Sequence, residues 1–177
     1  MKAVTPDDLR EVSEGIFYAD SPIVLINAGI INFLKTKAST TSMRRARVCA
    51  HPSAGSDQHD MLIASHRETY VAPHCHLDKS ESFLILEGLT DVLLFDEGGG
   101  LLDLIRMGPA SSGHPFFYRM PARQYHALLI ASEVLVFVES TKGPFDPART
   151  ENATWAPDPS RTAEGHAFLT AIAEKGH

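Results

Sequence analysis

The sequence predicts a mainly β protein, one small sandwich or barrel behind a short helical lead-in. Two observations predict it. From Arg44 to Ser140 the chain divides into short apolar stretches, with turn residues recurring at a spacing of roughly 8–12 residues. Within that region Asp96-Glu97-Gly98-Gly99-Gly100 separates two such stretches, Asp91 to Phe95 and Leu101 to Ile105, which is a strong hairpin signal. The chain has 177 residues, 44 % of them apolar, enough for a single domain with a real core.

The lead-in opens on Thr5-Pro6-Asp7-Asp8, a helix-start pattern. Thr5 can cap, Pro6 suits the first helical position, and the two acids favour the positive end of the helix dipole. Leu9, Val12 and Ile16 follow at helical spacing, so the pattern predicts a helix over 6–18, ended by Ser21-Pro22. The apolar run in 23–43 reads as either a strand or a second short helix, with Lys35 to Ser42 as a loop. Strands are then expected over 44–50, 59–65, 69–76, 80–86, 91–95, 101–105, 116–120, 125–130 and 134–140. The tail is rich in Pro, Asp, Ala and Thr. Its Phe145 and Trp155 suggest packing back on the barrel, and 163–175 suits a terminal helix. The resulting division is 1–43 for the lead-in, 44–140 for the barrel and 141–177 for the tail, all one domain.

Composition narrows the function classes. A net charge of −6 argues against a nucleic-acid partner and against an anionic membrane surface. The first ten residues lack the order of a signal peptide, and the apolar run from Ile23 to Leu34 is too short to span a bilayer. The two cysteines, Cys49 and Cys75, are expected as free thiols in a reducing cytoplasm. A homodimer is expected as the commonest closed oligomer.

The chemistry concentrates in two segments. His74-Cys75-His76 places two imidazoles at i and i+2, on one face of a strand, with Cys75 on the other. Glu81 follows five residues later, and Gly88 stands where the strand must reverse. Downstream, Pro121 leads into a strand carrying His126. His74, His76, Glu81 and His126 are therefore the candidate ligands of one divalent metal ion, with Fe, Zn, Mn and Ni all compatible. Three imidazoles and one carboxylate leave coordination positions open, as a catalytic metal requires. Arg45, Arg47, Cys49 and His51 alternate along one expected strand. If their face points inward, Arg47 becomes an anchor for an anion or carboxylate; if outward, they form a solvated face. His59 and Lys79 are further candidates for contacting a small-molecule ligand, and Tyr118 and Tyr70 are candidate general acids.

His74-x-His76-x4-Glu81-x6-Gly88 resembles the first motif of the cupins, and Pro121-x4-His126 resembles the second. Arg123 and Ile130 depart from it, standing where glycine and asparagine are common. The strings RARVCAHP (45–52), HDMLIA (59–64), YVAPHCHLDKSESFLILEG (70–88) and KGPFDP with WAP (142–157) are similar to the WbuC-type cupin-fold metalloproteins. That resemblance implies a single jelly-roll-type barrel bearing a metal, in a polysaccharide-biosynthesis setting. Three functions follow as expectations. One is a metal-dependent isomerase or epimerase acting on a small polar or carbohydrate-type substrate. The others are an iron-dependent dioxygenase and a non-catalytic ligand-binding barrel.

Overall fold

A computed structural model describes residues 2–176. Its first element corrects the expected helix over 6–18. The cap at Thr5 forms, with Asp8 accepting from the Thr5 backbone N–H at 2.8 Å, but only a 3-10 turn follows, Pro6–Asp8. The chain then makes two strands, β1 (Leu9–Ser13) and β2 (Ile16–Ala19). Gly15 between them has φ +73, a left-handed value that suits glycine and no helix. The helical spacing of Leu9, Val12 and Ile16 is coincidental, since Val12 is exposed, whereas Phe17 and Ala19 alternate inward with the period of a strand.

The ambiguous apolar run resolves as a helix, α1 (Ala28–Ala38). Asn27 caps it by accepting from the Gly29 N–H at 2.8 Å. Ile30, Leu34 and Ala38, four residues apart, form its buried stripe. The helix extends through Lys35 and Lys37, which sit at its negative end, so the expected loop begins later than Lys35.

Ten further strands follow, the nine expected and, in the tail, an unexpected tenth. They are β3 (Arg45–Cys49), β4 (Gln58–His66), β5 (His74–His76), β6 (Glu81–Glu87) and β7 (Thr90–Phe95). Then come β8 (Leu101–Met107), β9 (Phe117–Met120), β10 (Tyr125–Ile130), β11 (Val134–Lys142) and β12 (Thr150–Asn152). The expected strand over 69–76 contracts to β5, because Pro73 breaks it. The tail ends in α2 (Thr162–Gly176). One sheet has the order β1-β2-β3-β4-β11-β6-β9, the other β12-β5-β10-β7-β8. Only β2 and β3 pair in parallel among the described strands. Gly88, at φ +84, turns the chain from β6 to β7; a Cβ there would lie 2.4 Å from both Ser132 Oγ and the Val134 carbonyl, so no other residue fits.

The pleat sorts the core into layers. Ala46 and Val48 of β3, with Leu62 and Ala64 of β4, face outward onto Ile30 and Leu34 of α1. Cys49, Ile63, Phe83, Leu128 and Phe137 face inward, between the two sheets. On the far side, Leu93 and Phe95 of β7 are covered by Trp155, Leu169 and Ala173, so the tail packs on the barrel as expected. Leu34 is fully buried beneath β3 and β4, and Leu34→Ala is expected to cost about 2–5 kcal/mol in urea unfolding.

Candidate metal centre

β5 lies between β10 and β12, and its register brings His74 directly opposite His126 and His76 opposite Thr150. His74 and His76 project from the same face of β5, so one ligating atom from each of His74, His76 and His126 falls within 4.8 Å of the others. These three could hold a metal ion. Glu81, at the start of β6, stands beside them: one carboxylate oxygen is 2.9 Å from His126 Nε2 and the other 3.1 Å from His76 Nε2. His126 and Glu81 are only 2 % and 3 % exposed.

The second nitrogen of each ring decides what the first can do. His74 Nδ1 lies 2.8 Å from the Ala72 carbonyl, and His126 Nδ1 lies 3.0 Å from the Gln124 carbonyl. Carbonyls only accept, so each Nδ1 carries the hydrogen and each Nε2 of the neutral ring presents a lone pair. His76 Nδ1 is fixed by the Thr150 hydroxyl at 3.0 Å. This is the outer support usual for metal-ligating histidines. It leaves Glu81 Oε1 close to His126 yet buried without a well-aligned donor. A carboxylate facing imidazole lone pairs calls for a cation between them: a proton on the ring, or a metal ion. The donor set therefore fits a divalent metal, which would displace that proton.

Ionisation agrees. Burial first, then the neighbouring His126, holds the His74 ring down at about 3, so it is neutral and ready to ligate. Burial alone would raise Glu81, but His126 and His76 outweigh it and hold the carboxyl below the usual range. Burial would likewise lower His126, and Glu81 reverses that to a net rise.

The turn before β10 keeps its shape despite Arg123. This residue takes φ +66, the left-handed conformation that glycine adopts easily, and its N–H donates to the His76 carbonyl at 2.7 Å. The backbone of the second motif thus ties the first motif in place.

The three imidazoles open on a cavity of about 210 Å³ inside the barrel. Arg45, Arg47 and Cys49 of β3 line it, so the alternating face points inward. Lys79, His51 and His59 line it too, and the two rings stack with centroids 4.0 Å apart. Burial lowers both imidazoles. Phe145, expected to pack on the barrel, instead stands 55 % exposed at the cavity. Neither candidate tyrosine lines the cavity. The Tyr70 hydroxyl donates to the Pro157 carbonyl at 2.8 Å, under α2. Tyr118 is packed edge-on to Phe83, its buried hydroxyl unpartnered and its ionisation pushed well above the ordinary value by burial. Both cysteines are free and buried.

Glu139 of β11 also lines the cavity. Burial and then the Glu81 charge push its carboxyl up to about 7, against the pull of Arg47, Lys79 and Arg45. A carboxyl raised on folding binds a proton the unfolded chain has released, so its stabilising contribution is complete below about 4.5 and lost as pH rises through about 7. In metal-stripped protein, thermal melts of the wild type and Glu139→Gln should diverge across that window, with the wild type losing stability relative to the variant as pH rises.

Comparison with known proteins agrees with the architecture. A family model described as a domain of unknown function (DUF6016) matches residues 26–107. No curated protein matches. Among solved structures, CapF bound to the inhibitor 3-isopropenyl-tropolone is 15 % identical, with 63 % of this chain and 32 % of that chain covered at a TM-score of 0.51. A Klebsiella pneumoniae protein with a double-stranded β-helix domain is 13 % identical, with 62 % and 84 % covered at 0.47. The fold is a cupin barrel. This chain spans only 21 % of the length of the Brassica napus 11S globulin procruciferin, another match, at 10 % identity, 50 % of this chain and a TM-score of 0.42. No helix among the described residues is long and apolar enough to cross a membrane.

Proposed function

We propose that this cupin holds one divalent metal ion on His74, His76, Glu81 and His126. It uses that ion to act on a small polar or carbohydrate-type substrate, in an isomerase- or epimerase-like reaction. The observation that carries the reading is the set of imidazoles with Nδ1 committed and Nε2 presented to a cavity inside the barrel. When bound, the metal supplies Lewis acidity to a substrate carbonyl or hydroxyl oxygen.

The chain's own residues supply the proton traffic. Glu139 lines the cavity without a hydrogen bond or ion pair among the described residues, and its carboxyl is poised to change protonation near neutral pH. It would take a proton from the carbon α to the polarised carbonyl. In isomerisation it would return that proton to the former carbonyl carbon while the α-hydroxyl proton passes to the carbonyl oxygen, and in epimerisation water on the opposite face would supply the returning proton. The substrate is neither oxidised nor reduced overall. His59 and Lys79 would contact the ligand, and neutral Tyr118 would remain a buried donor beside the site. The WbuC resemblance supports a polysaccharide-biosynthesis setting, and the reading takes the protein as a cytoplasmic homodimer.

The same donor set suits an iron dioxygenase, so the test must separate the two. Protein purified without chelator or nickel is assayed by elemental mass spectrometry, then incubated in D2O with a panel of sugar derivatives while oxygen is recorded. Metal with deuterium incorporation and no oxygen uptake is the expected result. Iron with oxygen uptake would replace it by the dioxygenase, and bound metal with neither signal by a binding protein.

A further inference from the structure

The cavity beside the metal centre gathers positive charge that the chain does not neutralise. Arg45 and Arg47 enter it from β3, and Lys79 from the loop before β6. Among the described residues, none of the three makes a side-chain hydrogen bond or an ion pair. Most other cations are either ion-paired, as in Arg10–Asp20, Lys35–Glu87, Arg44–Glu68 and Arg106–Asp91, or exposed to solvent, as are Arg119, Arg123 and Lys142. Arg45 and Arg47 are two residues apart on one strand face, so their Cα atoms are about 6.6 Å apart and their like charges repel.

Unmet hydrogen-bonding capacity collects at the same place. Arg47 Nε and His59 Nε2 are buried without a partner. Buried polar groups are nearly always satisfied, so two such atoms on one cavity wall mark a ligand's place. Their kind is informative: both lie on the cation-bearing side, where donors dominate. The carboxylates lining the cavity are Glu81 and Glu139. Three fixed cations against two carboxylates leave one positive charge, and a divalent metal raises the surplus to three.

We propose that the ligand is a small anion, a polyol or hydroxy acid whose carboxylate or phosphate group sits on Arg45, Arg47 and Lys79 while a hydroxyl or carbonyl oxygen reaches the metal. This rests on the metal reading above and adds the substrate's charge to it. A guanidinium fork matches either group with paired hydrogen bonds. The space suits a small molecule, since 210 Å³ corresponds to about seven waters at about 30 Å³ each.

The test is calorimetric titration of the metal-loaded protein with glycerate, glycerol 3-phosphate and glycerol. These share a three-carbon skeleton and differ in the charged group. The proposal expects at least one anion to bind at least about tenfold more tightly than glycerol, with a preference that weakens in high salt. Arg47→Gln should bring that preference down to about threefold or less while metal content stays at the wild-type value. Lys79→Gln, on the loop before β6, should reduce it in part, and serves as the readout if Arg47→Gln fails to fold. Glycerate against glycerol 3-phosphate then separates carboxylate from phosphate recognition. Equal binding of all three probes, no binding of either anion, or a preference that survives both substitutions would overturn the proposal. Metal content, read in the same samples, reports separately on the metal site.

Discussion

His76→Ala should fold and lose its metal. Deleting the ring removes one of the nitrogens within 4.8 Å of each other and the partner of one Glu81 oxygen. Weakening an outer support of a ligating histidine typically costs tenfold to a hundredfold in affinity, so losing the ligand itself should cost at least about a hundredfold. Thr150→Ala, which removes the hydroxyl on His76 Nδ1, should fall within that smaller range. The variant should still fold because Glu81 keeps His126, and because no core layer depends on His76. Competition with a metallochromic chelator measures both affinities. Unchanged metal binding in His76→Ala would remove this residue from the site.

Phe95→Ala should do the reverse, unfolding easily while the chain that remains folded still binds metal. Phe95 is 1 % exposed in β7, paired with Tyr125 on one side and Leu101 on the other. Its ring packs on Trp155 at 5.0 Å and lies in the cluster that holds Leu169 and Ala173 of α2. Truncating a buried Phe costs about 3–5 kcal/mol, as lost transfer energy plus the cavity left behind. For a chain of this size each kcal/mol lowers the melting temperature by about 2–4 °C, so a fall of about 6–20 °C is expected. Amide exchange in α2 should accelerate as well, since the tail loses its main contact with the sheet. A loss below about 1 kcal/mol would show that Trp155 and α2 do not close over this position.

The two variants probe parts of the molecule that differ in how readily the sequence reveals them. The strands after Arg44 are legible because turn chemistry punctuates them and each apolar stretch fits one strand. The candidate metal ligands are legible for a stronger reason. An i, i+2 histidine pair is on one strand face whatever the register, and the Pro121 turn delivers His126 to the strand alongside. The N-terminal hairpin is hidden because three apolar residues happen to satisfy a helical spacing, while the decisive signals are Gly15 and the alternation of Phe17 and Ala19. Which way Arg45 and Arg47 point depends on α1 covering Ala46 and Val48, a tertiary fact absent from local pattern. Glu139 passes for a solvent-facing residue until β11 is placed. Its neighbours on the same face, Leu135, Phe137 and Thr141, are the signal that this Glu is directed inward. Tyr70 and Tyr118 show the converse: a hydroxyl in a β protein has no assigned role until its packing is known.

The central claim is that one metal ion sits among His74, His76, Glu81 and His126, and diffraction from crystals of the purified protein at the metal's absorption edge tests it most directly. The account predicts a single anomalous peak about 2.0–2.2 Å from the three Nε2 atoms, with a Glu81 oxygen completing the set. Three unliganded Nε2 atoms with no peak between them, in protein never exposed to chelator, would contradict it.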